Sequence, residues 1–259
     1  MVSSSHNDKI LEQFRLQAAT FTDSGFATSG LAWIVDQLAP RPGEQALDVA
    51  AGAGHLGRAL APHLAQVSAV DLTPEMLEQG DRLARAAGLP NIAFLRGDAT
   101  ALPWLDQQFD LVVCRLTLHQ VADPAAVVRE MVRVTRADGR IGITDMVLDN
   151  LDVAEENTRL ERLRDPSHNR TLTVQQIHAL LDAAGATVSS TVTRENPLDL
   201  EDWMHRSQTP EQHRAEIRRR LDDELAGGPP TGLHPSREGG TRTFTHVWGT
   251  VVATPRRRP

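Results

Sequence analysis

Short apolar runs alternate with helix-patterned segments along the first half of the chain, which predicts a repeating strand–helix order. The segment 74–87 has helical spacing, and the segment 124–135 follows Asp123, which suits a helix start with proline at its first position. Such an alternation favours a mostly parallel sheet with helices on both faces. The predicted strands of this half are 46–49, 67–70, 92–95, 111–113 and 141–144.

The second half of the chain predicts two further strands and a long insertion. The segment 244–253 alternates between two faces, and the segment 187–193 is the other strand candidate. Between residues 148 and 170, intermixed acidic and basic residues predict a helix and a loop after the fifth strand. Residues 226–243 are rich in Gly, Pro, Ser and Thr, so we expect a long loop that is functional or mobile.

Composition and charge narrow the classes of function. A chain of 259 residues with 40% hydrophobic positions fits one large domain, or one domain with an insertion. The formal net charge of -7 disfavours a nucleic-acid partner, because phosphate binding needs a positive surface. Cys114 is the only cysteine, no apolar stretch reaches membrane-spanning length, and residues 1–7 lack an apolar signal core. We therefore expect a cytoplasmic protein without a membrane partner, either a monomer or a homodimer.

The strongest motif is DVAAGAGHLG, residues 48–57, where a predicted strand runs into a glycine-rich turn and a helix. Glycines let the backbone approach a ligand closely, and the helix N-terminus favours negative charge. Gly52, Gly54 and Gly57 also spell the dinucleotide fingerprint, and Asp71 lies near the position of its ribose acid. Taken alone, the motif fits S-adenosylmethionine (SAM), a nicotinamide dinucleotide or a purely structural turn.

Three acids at strand ends favour SAM. A pyrophosphate gains nothing from Asp48 before the turn, whereas the ammonium and sulfonium of SAM do. Asp71 can accept both ribose hydroxyls, with Leu72 and Met76 beside the adenine, and Asp98 can take the adenine amino group. All three strand ends meet in the crevice where open α/β sheets bind ligands. The candidate cofactor-binding residues in this half are Asp48, Ala50, Gly52, Gly54, Asp71, Leu72, Met76, Gly97, Asp98 and Ala99.

This order and spacing over residues 46–147 resemble the class I SAM-dependent methyltransferases, in particular the small-molecule type found in quinone biosynthesis. The family often has glycine where this chain has Ala50, but that type carries alanine too, so we expect slight crowding only. The resemblance implies an α/β, Rossmann-like, doubly wound sheet of about seven strands, with the last strand antiparallel and helical lid insertions. It also implies a lid over the cofactor in residues 1–30, a SAM-binding core in 31–147, and an acceptor-side insertion with the final strands in 148–259.

In this family, the residues after the fourth strand line the methyl donor and the acceptor. By that resemblance Arg115 contacts the cofactor's carboxylate or the backbone loops, and His119 points toward the acceptor. A histidine suits a base near neutral pH when the acceptor is a hydroxyl or a ring N–H. The alternative for His119 is a cap of the loop after the strand. Enzymes that methylate base amino groups carry an Asn/Asp-Pro-Pro-aromatic box here, which this chain lacks.

The segment DPSHNR, residues 165–170, resembles a stretch that many small-molecule methyltransferases carry after the fifth strand. The likeness implies that His168 and Arg170 reach the acceptor from a lid, with His168 a second catalytic candidate. The alternative is a turn stabilised by Asp165 and Ser167.

The N-terminal segment 14–21 resembles the family's opening helix, which folds over the cofactor and excludes water. The likeness makes Phe21 a candidate cofactor contact. Phe14 and Phe21 also fit ordinary core positions.

The sequence thus predicts a SAM-dependent methyltransferase that acts on oxygen, nitrogen or carbon of a small, cyclic metabolite. No metal is expected, because neither a His-x-x-x-His pair nor a cysteine pair is present. Three alternatives stay open: a SAM-binding cyclase of the same fold, an NAD-dependent oxidoreductase and a regulatory SAM-binding module. Asp48, Asp98 and the lack of tyrosine count against the oxidoreductase, and the insertion 148–243 counts against the regulatory module.

Overall fold

The chain folds around one β-sheet in the computed structural model, which describes residues 3–17 and 25–256. Each of the seven predicted strand segments is a strand, usually longer than its apolar run, and two short strands are added. The strands are β1 (Gln45–Val49), β2 (Gln66–Asp71), β3 (Ile92–Arg96), β4 (Phe109–Arg115), β5 (Thr135–Leu148), β6 (Leu172–Thr173), β7 (Ala186–Asp199), β8 (Ser236–Glu238) and β9 (Thr241–Pro255).

The strand order is β3-β2-β1-β4-β5-β9-β7, with β6 paired to β5 and β8 paired to β9. Strands β1 to β5 are parallel to one another, and β9 is antiparallel to both β5 and β7. This confirms the predicted doubly wound sheet of seven main strands with an antiparallel final strand. The chain order reverses between β1 and β4, so their carboxyl ends flank the crevice where such sheets bind ligands.

Helices cover both faces of the sheet. Helix α5 begins as predicted, because the Asp123 side chain accepts a hydrogen bond from the Ala126 amide at 2.9 Å and Pro124 follows. Within the described segments, no helix combines the length and apolar character needed to cross a membrane. The helices are α1 (Ser3–Gln17), α2 (Leu31–Leu38), α3 (His55–Leu60), α4 (Pro74–Ala86), α5 (Pro124–Val134), α6 (Ala154–Arg164), α7 (Val174–Ala183), α8 (Leu200–Arg206) and α9 (Glu211–Leu225).

Two apolar cores sandwich the sheet. In β4, Leu111 and Val113 pack toward α2 and α3, whereas Val112 and Cys114 pack toward α5 and α7. Successive side chains of a strand point to opposite faces, so a strand buried on both sides needs an unbroken apolar run. The central strands are recognisable in the sequence for that reason.

A third apolar cluster lies between α6, α8, α9 and the start of β9. Trp203 of α8 packs on Phe244 of β9 with ring centroids 4.7 Å apart, next to Leu160 of α6 and Ile217 of α9. The predicted loop 226–243 is partly wrong, because β8 and the start of β9 form a hairpin there. Its turn consists of two glycines at positive φ, and exposed hairpin strands do not need the apolar pattern that would have revealed them.

Candidate active site

Two adjoining cavities open at the carboxyl edge of the parallel strands. The first, the central cavity, measures about 160 Å³ and lies at the ends of β1, β4 and β5 and beside β9. The second, the β3-side cavity, measures about 270 Å³ and lies beyond β2 and β3. Both are lined by Ala50, Asp71, Val121 and Ile10, the last from helix α1, so one extended ligand could occupy both.

The glycine-rich turn shapes the wall of the central cavity. Ala50, Gly52 and Gly54 all have positive φ, at 53°, 54° and 66°. For Ala50 this left-handed conformation costs about 1–2 kcal/mol, because its Cβ crowds the backbone. The crowding expected at Ala50 is therefore between its own Cβ and the backbone.

Asp48 is buried at the end of β1, with 1% of its surface exposed. Its Oδ2 accepts a hydrogen bond from the Gly57 amide at 2.8 Å, which ties the strand to the start of α3. Burial raises the pKa of Asp48 to about 7 against the opposing effects of the Gly57 amide and the Arg115 charge. The carboxyl also lines the central cavity, where a cationic ligand would favour its ionised form.

Asp71 stands on the boundary between the two cavities. Its carboxylate accepts hydrogen bonds from the amides of Gly52 and Thr73, each at 2.8 Å. It therefore holds the glycine-rich turn against the end of β2. Burial raises the pKa of Asp71, although these two amides favour its ionised form.

The third predicted acid lies in the β3-side cavity. Asp98 accepts hydrogen bonds from the Thr100 amide at 2.8 Å and the Thr100 hydroxyl at 2.7 Å. Leu72, Gly97 and Ala99 line the same cavity. The structure thus places the ends of β1, β2 and β3 around two adjoining cavities that share Asp71.

Two predicted cofactor contacts, Met76 and Gly54, line neither cavity. Met76 is 0% exposed and packs inward from α4. Gly54 lies behind the turn, where an added Cβ would stand 2.6 Å from the Phe94 ring, so its role is close packing. Phe21 lies outside the described residues. In the same N-terminal segment, Phe14 of α1 lines the central cavity.

Arg115 lines the central cavity and also bonds the backbone before α2. Its Nη2 donates to the carbonyl oxygens of Phe26 and Ser29, both at 3.3 Å, and its guanidinium lies 5.2 Å from the Trp248 ring centroid. Burial lowers its pKa to about 10, which leaves it charged at neutral pH. Its buried Nε has no hydrogen-bond partner in the described chain, and the side chain lines the central cavity.

His119 lines the central cavity beyond the end of β4 and forms a pair with Asp145 of β5. Its Nδ1 lies 2.5 Å from Asp145 Oδ1, while Asp145 Oδ2 accepts the Thr117 and Leu118 amides at 3.1 and 2.6 Å. Burial lowers the pKa of His119, but the charge and hydrogen bond of Asp145 outweigh it and raise the pKa above the ordinary 6.5. The pairing at Nδ1 leaves Nε2 for the cavity. Sequence reasoning missed Asp145, although an acid inside the apolar run of β5 is a visible signal.

The prediction that His168 and Arg170 reach the acceptor is contradicted by their positions. His168 is 1% exposed and stacks behind His119 with ring centroids 5.4 Å apart, and Arg170 is exposed outside the cavity. Burial lowers the pKa of His168 to about 3, so the ring is neutral. Its segment forms the alternative turn, in which Asp165 accepts the Ser167 amide at 2.9 Å.

Side chains that the sequence did not identify complete the central cavity. They come from α6, α8 and β9, and no local motif marks them. The guanidinium of Arg206 lies 4.4 Å from the Phe26 ring centroid, and that of Arg164 lies 5.0 Å from the Trp203 ring centroid. Across residues 3–17 and 25–256, no group of three or more His, Cys, Asp or Glu side chains could hold a metal ion. The additional lining residues are Arg164, Asp165, Trp203, Arg206 and His246.

Comparison with known proteins decides the family. The model of a methyltransferase domain matches residues 47–143. The chain is 33% identical over 178 residues to the uncharacterized methyltransferase YcgJ of Bacillus subtilis, covering 68% of this chain and 70% of that one. The chain belongs to the class I SAM-dependent methyltransferases. It is therefore an enzyme that uses SAM. The glycine-rich turn alone was also compatible with a nicotinamide dinucleotide or a purely structural turn.

Solved structures agree with this assignment. The crystal structure of YcgJ superposes with a TM-score of 0.80 at 27% identity, covering 88% of the enzyme and 99% of YcgJ. A demethylmenaquinone methyltransferase of Beutenbergia cavernae is 39% identical over 111 residues, but the match covers only 44% of that relative. The [4+2]-cyclase SpnF shares the fold with a TM-score of 0.66 at 17% identity, over 90% of this chain and 82% of SpnF.

Proposed function

We propose that the enzyme transfers the methyl group of SAM to oxygen, nitrogen or carbon of a small, cyclic metabolite, with His119 as the base. The observation that carries this proposal is that His119, paired with Asp145, lines the same cavity as the glycine-rich turn. A cavity of about 160 Å³ under helix α1 suits a small acceptor better than a polymer.

The residues at the two cavities fit SAM as a ligand. Asp71, on the boundary, would accept the ribose hydroxyls, and the β3-side cavity with Asp98 and Ala99 would take the adenine. The buried, unpartnered Arg115 Nε and the Asp48 carboxyl would face the methionine end, whose carboxylate and ammonium carry opposite charges. Bound there, SAM supplies an electrophilic methyl group on sulfur.

His119 would remove the proton from the acceptor as the methyl group is transferred. Asp145 fixes the ring orientation and leaves Nε2 facing the central cavity, within reach of an acceptor hydroxyl or N–H. Only the neutral ring can accept this proton. Since Asp145 raises the pKa of His119, the rate is expected to rise with pH through a value above 6.5.

Three successive segments of the chain would have different roles. We propose that residues 1–30 cover the cofactor, that 31–147 bind it, and that 148–259 supply the acceptor side and the last strands. Helix α1, which lines both cavities, supports the first part of this division.

A first experiment combines binding with turnover. Calorimetry should show S-adenosylhomocysteine binding, and a panel of phenols, N–H heterocycles and β-dicarbonyl compounds should reveal SAM-dependent release of S-adenosylhomocysteine. His119→Gln should lower the rate about 10²- to 10⁴-fold, the usual contribution of a general base, and leave S-adenosylhomocysteine affinity unchanged. His178→Gln is the matched control, because that histidine bonds the Thr191 hydroxyl at 2.8 Å outside both cavities.

The Asp145→Asn variant tests the role of the pair, first by NMR without an acceptor and then by the rate with one. Loss of the negative charge should lower the pKa of His119, measured by NMR of the histidine rings, and move the acid limb of the rate profile to lower pH. An unchanged His119 pKa would remove Asp145 from the proposal. Conversion of the true substrate without release of S-adenosylhomocysteine would instead identify a cyclase.

A further inference from the structure

The turn 165–170 holds the main chain at His119. The His119 carbonyl oxygen accepts hydrogen bonds from the amides of Asn169 at 2.9 Å and Arg170 at 3.1 Å. The side-chain nitrogen of Asn169 also donates to the Val121 carbonyl oxygen at 2.8 Å. The loop that carries His119 after β4 is therefore bound to this turn at two of its carbonyl groups.

The same turn packs a ring against the His119 ring. The His168 imidazole stacks on it with centroids 5.4 Å apart and an interplanar angle of 29°. The bond between Nδ1 and Asp145 fixes one edge of the His119 ring. The ring torsion of a histidine is soft, so a ring held at one edge can still tilt about that bond. A flat group packed against its face removes this freedom.

The stacked ring of His168 carries no charge near neutral pH. Burial lowers the pKa of His168 to about 3, and the charge of Glu161 only partly opposes this. The charged groups that act on His119 are Asp145 on β5 and Glu161 and Arg164 on α6. Because His168 stays neutral, it adds no repulsion when His119 takes up a proton.

The nitrogens of the His168 ring make few bonds. Nδ1 has no hydrogen-bond partner in the described parts of the chain, and Nε2 lies 3.5 Å from the Thr171 hydroxyl, which is long for a hydrogen bond. Packing therefore holds this ring in place. What it offers to His119 is its flat face rather than its nitrogens.

Buried polar bonds brace the turn itself. Asp165 and Ser167 are 1% and 0% exposed. The Asp165 carboxylate accepts the Ser167 amide at 2.9 Å, and the Ser167 hydroxyl lies 3.0 Å from the side-chain oxygen of Gln120. The Arg162 guanidinium donates to the His168 carbonyl oxygen at 3.2 Å. These bonds make the turn a rigid support.

We propose that the turn 165–170 positions His119, and that the neutral ring of His168 fixes the plane of the His119 ring so that its Nε2 points at the acceptor. His168 lines neither cavity, so it acts through His119 and touches neither the acceptor nor the cofactor. This inference rests on the proposed methyl transfer, to which it adds a positioning residue.

His168→Phe and His168→Leu form a matched pair, because both remove the ring nitrogens and only His168→Phe keeps a flat face. The assay measures release of S-adenosylhomocysteine with the most active compound of the acceptor panel above. Rates are taken per binding site counted by calorimetry, so unfolded protein does not contribute.

His168→Leu should lower kcat about tenfold with KM within about twofold of wild type, since a small misplacement of a reacting group costs up to about 10²-fold. His168→Phe should keep kcat within about threefold of wild type, because a flat neutral face remains. Equal rates in the two variants, or an unchanged rate in His168→Leu, would overturn the stacking role.

NMR of the S-adenosylhomocysteine complex measures the mobility of the His119 ring without an acceptor. In His168→Leu the order parameter of its ring C–H groups should fall below about 0.6, the range of a flexible group, whereas His168→Phe should keep the wild-type value. His178 is the internal control, because its ring bonds the Thr191 hydroxyl outside both cavities. A fall at His178 as well, or a rigid His119 ring in His168→Leu, would contradict a local positioning role.

Ser167→Ala tests the turn that carries His168. Loss of the hydroxyl loosens the turn and leaves both histidine rings in place, so kcat should fall about threefold at an unchanged KM. Combined with His168→Leu, the two losses should multiply to less than their product, because both act through the orientation of one ring. No loss in Ser167→Ala, or a full product in the double variant, would overturn the role of the turn.

Failure of this inference differs from failure of the proposed function. A wild-type enzyme that does not bind S-adenosylhomocysteine, or a His119→Gln variant that keeps the wild-type rate, would refute the proposed function. A large loss in His119→Gln together with equal rates in His168→Phe and His168→Leu would refute only the positioning role of His168.

Discussion

The two sides of the active site are built in different ways. On the cofactor side, the acids bond groups close to them along the chain: Asp71 holds the Thr73 amide two positions away, and Asp98 holds the Thr100 amide likewise. On the acceptor side, His246 pairs with Glu161 across 85 positions. The proposed cofactor side is therefore built mainly from bonds between near neighbours, together with the Asp71 bond to the Gly52 amide 19 positions away, whereas the proposed acceptor side depends on how distant elements pack.

This difference suggests how one fold can serve many acceptors. Substitutions in α6, α8 or β9 would change the proposed acceptor-side lining without altering the glycine-rich turn that we propose holds the cofactor. Substitutions on the proposed cofactor side should therefore weaken SAM binding irrespective of which acceptor is used.

Asp71→Ala should weaken S-adenosylhomocysteine binding about 10²- to 10⁴-fold. Two ribose hydrogen bonds to a charged acceptor contribute about 1.5–3 kcal/mol each, and the Gly52 and Thr73 amides also lose their partner. Calorimetry gives the affinity, and circular dichroism shows whether the variant is folded. Asp71→Asn, which retains one carbonyl acceptor, should fall in between. Affinity within threefold of wild type in a folded Ala variant would contradict the assignment of Asp71 to the cofactor.

Gly54→Ala and Gly52→Ala separate packing from ligand contact within one turn. Both residues have positive φ, which costs an added Cβ about 1–2 kcal/mol. At Gly54 the new Cβ would also stand 2.6 Å from the Phe94 ring, whereas nothing lies within 4 Å at Gly52. Gly54→Ala should therefore lose about 2–4 kcal/mol of unfolding free energy, with the clash adding about 1–3 kcal/mol, and Gly52→Ala about half of that. Denaturant unfolding measures both, and equal losses would contradict the packing role of Gly54.

SAM affinity should rise between pH 6 and pH 8. The Asp48 carboxyl has a pKa of about 7 because it is buried, and the cationic ligand binds better to its ionised form, by up to about tenfold per pH unit below that pKa. The stability of the free enzyme should change with pH in the opposite direction to the SAM affinity. A raised pKa means that the folded protein holds the proton more tightly, so this contribution to the stability of the free enzyme is lost as pH rises through about 7.

Calorimetric titrations with SAM at several pH values measure the pH dependence of the affinity. Thermal melts of the free enzyme measure the pH dependence of its stability. In Asp48→Asn the carboxyl no longer titrates, so the pH dependence of both should flatten. A wild-type affinity that stays constant over this range would exclude Asp48 as a partner of the ligand's positive charge.

The sequence predicted most of the strands and the sheet, and it identified the three acids that line the two cavities, but it identified few of the side chains from α6, α8 and β9. Leu111 and Val113 alternate with Val112 and Cys114, and such runs predict a strand buried on both faces. Met76 was wrongly assigned because helical spacing gives a face but not which neighbour covers it. His168 was placed at the acceptor by resemblance, yet its ring lies behind His119.

The sequence by itself determined the strand–turn–helix at Asp48 and the acids at the next two strand ends, because these depend on side-chain period and on bonds between near neighbours. Only the tertiary structure decided that Asp145 would pair with His119 and that His246, Trp203 and Arg206 would line the same cavity as His119. Such contacts join residues tens of positions apart. They exist only once the sheet order and the packing of α6 and α8 bring those residues together, and no local pattern records that arrangement.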